Sequence, residues 1–462
     1  MPSFPYPTIV VPGITASYLR DDYTLPPEFV WTVMKQRFER VTLHPDDLRY
    51  ESVEPSRVRA DQVYEVAYRE LIEELRHNLS PKADQPVPVY PFGYDWRQSL
   101  DSVESQLEDF IDEVIGRTRL LRHYDASGYA DDARVNLVGH SMGGLVIAGC
   151  IETMSRKGTA RTKIGKVATL ATPYQGSFEA VVKIATGTAD LGGDVPSSRE
   201  RETARLTPAL YHLFPSIDGD AIEIDDHFST DARGGMPLFN PALVQPSVLE
   251  TLSEFIRIHG LNKGDRAQQS QALLEAMLNT ARLHRRRVTG LELAQADLTS
   301  ADWLCVVGVG AVTRVGMRIA RGQGGKPLYD LRSAHRENHW KDLDPDKPLD
   351  ATSETRRRRT GDGTVPFEGA VPKFLSERNL VCVTPADFGY WEAVDRTLSS
   401  LKGFHGLLPN MNMLHRMLAA HFVRGRKDRN QGRYRNIWGQ PAPGVRLTDW
   451  DPAIAGLPTK GS

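Results

Sequence analysis

Cysteine is scarce: Cys150, Cys305 and Cys382 are the three in 462 residues. An odd number, wide spacing and apolar surroundings exclude a disulfide framework and a thiolate metal cluster. No sign of charge dominates either. Lys and Arg total 57 against 59 Asp and Glu, a net of -2, so no long-range positive field attracts nucleic acid. The run Arg356 to Arg359 is a local exception and reads as a solvated face, as does Arg285 to Arg287. Long apolar runs are missing too. Trp303 to Val312, the longest, is interrupted by glycine and falls far short of the ~20 residues that span a bilayer. No basic leader precedes an apolar stretch, because Arg20 is the first basic residue and Thr8 to Ile14 already reads as a core strand entering a turn. The expectation is a soluble, cytoplasmic protein with at most transient contact with a membrane surface. Internal repeats are absent, and 38 Gly and 30 Pro serve tight turns without making the chain collagen-like or disordered.

What is present is alternation. Thr8 to Val11, Val87 to Tyr90, Arg134 to Val138 and Lys166 to Ala171 read as short apolar strands. Between them, Val63 to His77 and Leu100 to Ile115 carry apolar residues at helical spacing, with Val66, Leu71, Ile72 and Leu75 expected on one stripe of the first. Near-continuous apolar strands separated by helices predict an α/β fold with a mostly parallel sheet covered on both faces. The rhythm breaks after Thr172-Pro173 and resumes at the strand Trp303 to Val309, followed by Leu380 to Val383. The reading is a core of residues 1–175 and 291–424, a cap insertion at 176–290, and a tail at 425–462. Residues 321–360 read as a surface excursion, and 405–422 as one terminal helix.

The strongest chemical signal is Gly139-His140-Ser141-Met142-Gly143-Gly144, set between a strand and a helix. A G-x-S-x-G element in that context bends the backbone sharply, projects the serine from the carboxyl edge of the sheet, and places a helix N-terminus where an oxyanion forms. A serine hydroxyl needs a base, itself oriented by a carboxylate, and in this architecture the acid and histidine follow later in the chain. Asp362, in Thr360-Gly361-Asp362-Gly363-Thr364-Val365-Pro366, is the candidate acid. Two histidines compete for the base. His405 stands between glycines ahead of a helix, whereas His415 lies within the helical pattern and suits packing, so His405 is preferred. His140 reads as a supporting or core group. For the oxyanion, Met142 supplies one N–H and Ile14, after the Pro12-Gly13 turn, supplies the other. Leu206, Tyr211 and Phe214, in an aromatic knot within the insertion, are the candidate wall of an apolar substrate pocket.

These segments resemble the lecithin:cholesterol acyltransferase and lysosomal phospholipase A2 group of α/β hydrolases. Beyond the elbow, the resemblance lies in Pro12-Gly13, Tyr94-Asp95-Trp96-Arg97, Thr172 to Ser177, Leu206 to Pro215, Gly361 to Pro366, and His405 with Asn410. It implies an α/β-hydrolase fold and acyl-ester chemistry, with Ser141, Asp362 and His405 as triad and Ile14 with Met142 as oxyanion pair; separately, no histidine or cysteine cluster in the sequence suggests a metal, and no organic cofactor is expected. The acyl group of a small-molecule or lipid ester then passes to water or to an alcohol. Ile14 stands where the family usually has aspartate or cysteine, and the chain between Asp362 and His405 is long for the family.

Overall fold

The computed structural model describes residues 4–53, 55–187, 197–219, 221–228, 235–332, 336–337, 360–389, 392, 395, 403–423, 437–454 and 456–459. The Arg356 to Arg359 run lies outside the described residues, as do most of the excursion at 338–359 and the start of the tail.

Six short strands form one parallel sheet in the spatial order Leu380–Val383, Trp303–Gly308, Ile164–Leu170, Val135–His140, Thr8–Val11, Val89–Pro91. The sequence pattern explains why. Every residue of Thr8–Val11, Val135–His140, Trp303–Gly308 and Leu380–Val383 is buried, which suits strands packed on both faces. The register aligns the carboxyl ends: Val11 pairs with Gly139, His140 with Leu170, and Val383 with Gly308. Loops leaving these ends therefore converge on one edge, where open α/β sheets build their sites.

The helices pack in two groups. Glu65–Leu79 lies against Asn412–Val423, while Leu100–Arg119, Met142–Arg156 and Arg266–Thr289 pack through Met142–Arg156. Leu100–Arg119 buries Val103, Leu107, Ile111 and Val114, with Asp101 in its first turn and Arg117 and Arg119 in its last, complementing the helix dipole. In Glu65–Leu79 the buried stripe is Tyr68, Leu71, Ile72, Leu75 and Leu79, while Val66 is 72% exposed. At 3.6 residues per turn Val66 lies about 160° from the centre of that stripe, so its expected place there is corrected. The terminal helix is also divided. His405–Asn410 is a 3₁₀ segment and Asn412–Val423 the α-helix, because Pro409 lacks the N–H that a continuous helix needs.

Among the described residues, two three-stranded sheets escape the sequence pattern. Ser17–Asp21, Glu28–Trp31 and Val58–Val63 form an antiparallel layer. Ile222–Ile224 pairs parallel with Met317–Arg321, which pairs antiparallel with Pro327–Asp330. Residues 327–330, at the start of the expected 321–360 excursion, thus belong to a sheet that also holds residues from the 176–290 interval. No helix among the described residues is long and apolar enough to cross a membrane.

Candidate active site

The nucleophile position follows from a sharp bend. The strand Val135–His140 ends at Ser141, whose φ of 53° and ψ of -128° lie outside the ordinary range for a residue with a side chain, and Met142–Arg156 begins at once. Ser141 N–H donates to Leu170 O at 2.9 Å, and Gly144 N–H to Ser141 O at 3.0 Å, holding the strained turn. The glycines leave space for it. A Cβ on Gly143 would stand 2.2 Å from Val11 O, and one on Gly139 would stand 2.7 Å from Gly144 N.

Ser141, His405 and Asp362 meet at the carboxyl edge of the sheet. Ser141 Oγ lies 2.8 Å from His405 Nε2, and His405 Nδ1 lies 2.7 Å from Asp362 Oδ2. A carboxylate only accepts, so Nδ1 carries the proton and Nε2 is the acceptor facing the serine hydroxyl. The Asp362 side chain is 1% exposed and that of His405 12%. The other carboxylate oxygen, Asp362 Oδ1, accepts N–H bonds from Thr364 at 2.9 Å and Val365 at 2.7 Å, while Gly363 N–H donates to Thr313 Oγ1 at 2.9 Å. The two loops are stitched together by the Asp362 carbonyl, which accepts from Phe404 N at 2.8 Å and His405 N at 3.2 Å. His415 stands apart: fully buried in the last helix, it bonds the Pro409 carbonyl through Nε2 at 2.6 Å.

The Pro12-Gly13 turn abuts the nucleophile, since a Cβ on Gly13 would lie 3.0 Å from Ser141 Cβ. Gly13 N–H donates to Tyr68 Oη at 3.0 Å, and Tyr94 Oη–H donates to Pro12 O at 2.9 Å. Among the described residues, neither Ile14 N–H nor Met142 N–H has a backbone or side-chain acceptor. For Met142 the reason is its place in the first turn of a helix, where amides lack intrahelical partners. His140 is buried behind this group, 2.7 Å from Tyr68 Oη through Nδ1 and 2.9 Å from the His405 carbonyl through Nε2. Burial, and then the neighbouring His405, push its pKa down to about 3.

Leu206, Tyr211 and Phe214 are buried. Tyr211 Oη–H donates to Arg205 O at 2.8 Å, and Phe214 packs edge-on to Phe239. Sequence reasoning did not find Tyr68 as a partner of the site. It lies on the apolar stripe of its helix, where a tyrosine is indistinguishable from packing. Nor is Arg285 a solvated face: it is 1% exposed, and its guanidinium donates to the carbonyls of Tyr174, His212 at 2.8 Å and Phe214 at 3.2 Å. Its neighbour Arg287 pairs with Glu104 at 2.8 Å and Glu152 at 3.3 Å.

Comparison with known proteins agrees with this geometry. The family model for lecithin:cholesterol acyltransferase matches residues 50–371, a span that includes Ser141 and Asp362 and ends before His405. No curated protein gives a significant match. Among solved structures, a chain in the crystal structure of the Tle4–Tli4 complex is similar in fold, with a TM-score of 0.57 at 14% identity, covering 90% of this chain and 97% of that one.

Proposed function

From membership of the lecithin:cholesterol acyltransferase family, to which this chain belongs, we propose a serine-dependent carboxylic ester hydrolase of the lipase or esterase type that acts on esters with an apolar acyl group. The observation that carries the reading is the unbroken chain from Ser141 Oγ through His405 to Asp362, at 2.8 Å and 2.7 Å.

Ser141 Oγ attacks the ester carbonyl while His405 Nε2 takes its proton, and Asp362 holds the imidazole and steadies the imidazolium. The negative oxygen receives the N–H groups of Ile14 and Met142, each such donor being worth about 100- to 1,000-fold in rate. His405 then returns the proton to the departing alkoxide. Water, activated by the same imidazole, releases the acid from the acyl-serine. In this reading residues 176–290 cover the site, and Leu206, Tyr211 and Phe214 bound the acyl group when the cover shifts. Support comes from the bonds at the start of the insertion, where Ser177 Oγ–H donates to the acid-loop carbonyl of Thr364 at 2.6 Å and Ser177 N–H to Leu213 O at 2.9 Å.

The family's name favours a second reading, in which an alcohol rather than water receives the acyl group. One experiment addresses both. The purified protein is incubated with p-nitrophenyl esters and with a phospholipid, with and without a long-chain alcohol, and the acyl products are analysed. Free acid as the main product supports hydrolysis, and a new ester supports transfer. Excess EDTA leaves activity unchanged, because His405 supplies the proton acceptor that a metal-bound hydroxide would otherwise provide. Wild-type activity in S141A overturns both readings.

A further inference from the structure

We propose that Tyr68 and Tyr94 are positioning residues for the oxyanion side of the reaction, holding the Pro12–Gly13 peptide plane by both of its polar ends. The inference rests on the ester-cleaving reading of Ser141. The Pro12 carbonyl and the Gly13 amide belong to one rigid planar unit. Tyr94 Oη–H donates to that carbonyl at 2.9 Å, and that amide donates to Tyr68 Oη at 3.0 Å. Both tyrosines are 1% exposed, so water is not at hand to replace either bond. A plane held at both ends cannot swivel about its Cα–Cα axis without leaving buried polar groups unpaired.

The physical need for such a clamp comes from Gly13. A side chain there would press on the nucleophile, its Cβ only 3.0 Å from Ser141 Cβ, and glycine avoids that crowding. Glycine in turn leaves its own dihedrals unrestrained, and the next amide in the chain is Ile14 N–H, one of the two proposed oxyanion donors. The two hydroxyls fix the peptide plane that leads into Gly13, and so hold in place the Cα from which the Ile14 amide extends.

Tyr68 also ties this loop to the base. The His405 carbonyl can only accept, so His140 Nε2 carries a hydrogen and donates to it at 2.9 Å. A neutral imidazole then leaves Nδ1 as an acceptor for Tyr68 Oη–H at 2.7 Å. Tyr68 keeps a lone pair for Gly13 N–H. The bonds run in one direction, from the Gly13 amide through Tyr68 and His140 to the backbone of His405. The loop bearing the oxyanion donor and the loop bearing the base are thereby held in one frame.

The test removes single oxygens while keeping the rings. Y68F and Y94F are compared with Y124F, in which a buried tyrosine loses a 2.8 Å bond to the Pro5 carbonyl, ahead of the amino end of the strand Thr8–Val11. For each, kcat and KM are measured with p-nitrophenyl butyrate, together with the melting temperature. The rate of inactivation by a p-nitrophenyl alkylphosphonate, whose anionic oxygen occupies the oxyanion position, is measured as well. Y68F and Y94F lower kcat and the inactivation rate together by about 10- to 100-fold, with KM within about twofold. Y124F loses comparable stability and keeps kcat within about twofold. The double variant Y68F/Y94F falls short of the product of the two single losses, because both act on one peptide plane. Should one variant not fold, the other decides. Values of kcat in folded Y68F and Y94F that match Y124F overturn the proposal. Persistence of activity in S141A is a separate result that overturns the ester-cleaving reading beneath it.

Discussion

Replacing Asp362 by asparagine changes one atom in the site, and the surroundings dictate how the amide sits. Asp362 Oδ1 accepts the N–H groups of Thr364 and Val365 at 2.9 Å and 2.7 Å, within a loop where the side chain is 1% exposed. In D362N the amide oxygen must stay there, because the flipped orientation would aim an NH₂ group at two buried N–H groups. The NH₂ group therefore takes the place of Oδ2, 2.7 Å from His405 Nδ1. Two donors cannot face each other, so the imidazole proton moves to Nε2, which then presents N–H to Ser141 Oγ and cannot take its proton. The expected loss in kcat is about 1,000- to 10,000-fold, equivalent to about 4–5 kcal/mol of barrier. KM changes by less than about threefold. Because Asn keeps both backbone bonds of the loop, stability falls by about 1 kcal/mol. The assay is steady-state hydrolysis of p-nitrophenyl butyrate at pH 7, with thermal unfolding as the check on folding. A folded D362N protein that retains more than a tenth of wild-type kcat would refute the tautomer argument and Asp362 as the orienting acid.

Three further outcomes are expected. H405A lowers kcat by at least about 1,000-fold, whereas H415A, whose ring bonds the Pro409 carbonyl, costs stability and leaves kcat within a few-fold; equal losses in both folded variants would contradict the assignment. G143A drives a Cβ to 2.2 Å from Val11 O and abolishes activity or folding, while G116A, on an open helix surface with nothing within 4 Å of the new Cβ, raises stability by about 0.5–1 kcal/mol in urea unfolding; a destabilised G116A would contradict this. Native His140 stays neutral down to about pH 3, whereas its unfolded counterpart takes a proton below about pH 6.5. Stability is therefore lost as pH falls through that window, about 2 kcal/mol of it between pH 7 and 5. Urea unfolding of H140Q should show a shallower fall by about that amount, and an unchanged pH dependence would show that His140 is not buried neutral.

The alternation of strands and helices, the elbow around Ser141, the acid loop and the preference for His405 over His415 were all legible as local patterns. Strands buried on both faces need continuous apolar runs. A sharp strand-to-helix turn needs small residues around the serine, and an acid loop needs glycine beside its carboxylate. Chain order supplied the remaining constraint, since the sheet brings Ser141 and His405 within 2.8 Å although 264 residues separate them. The antiparallel layer around Ser17–Asp21 and the mixed sheet around Met317–Arg321 were not legible. Their strands are short, and in Ser17–Asp21 the buried and partly exposed residues alternate over only five positions.

The sequence by itself determined which residue types could do the chemistry and the order in which loops would deliver them, because turns, strand burial and helical spacing are set by neighbours along the chain. Only the tertiary structure decided what stands behind those residues. Tyr68 carries no signal of its own in the helical pattern, and packing brings its hydroxyl to Gly13 and His140. Arg285 looked like a surface charge until its guanidinium met the backbone carbonyls of Tyr174, His212 and Phe214. The cause is common to both. Helical periodicity reports how a side chain's stem is buried, whereas the partner of its polar tip comes from segments distant in sequence, and that pairing exists only once the chain has folded.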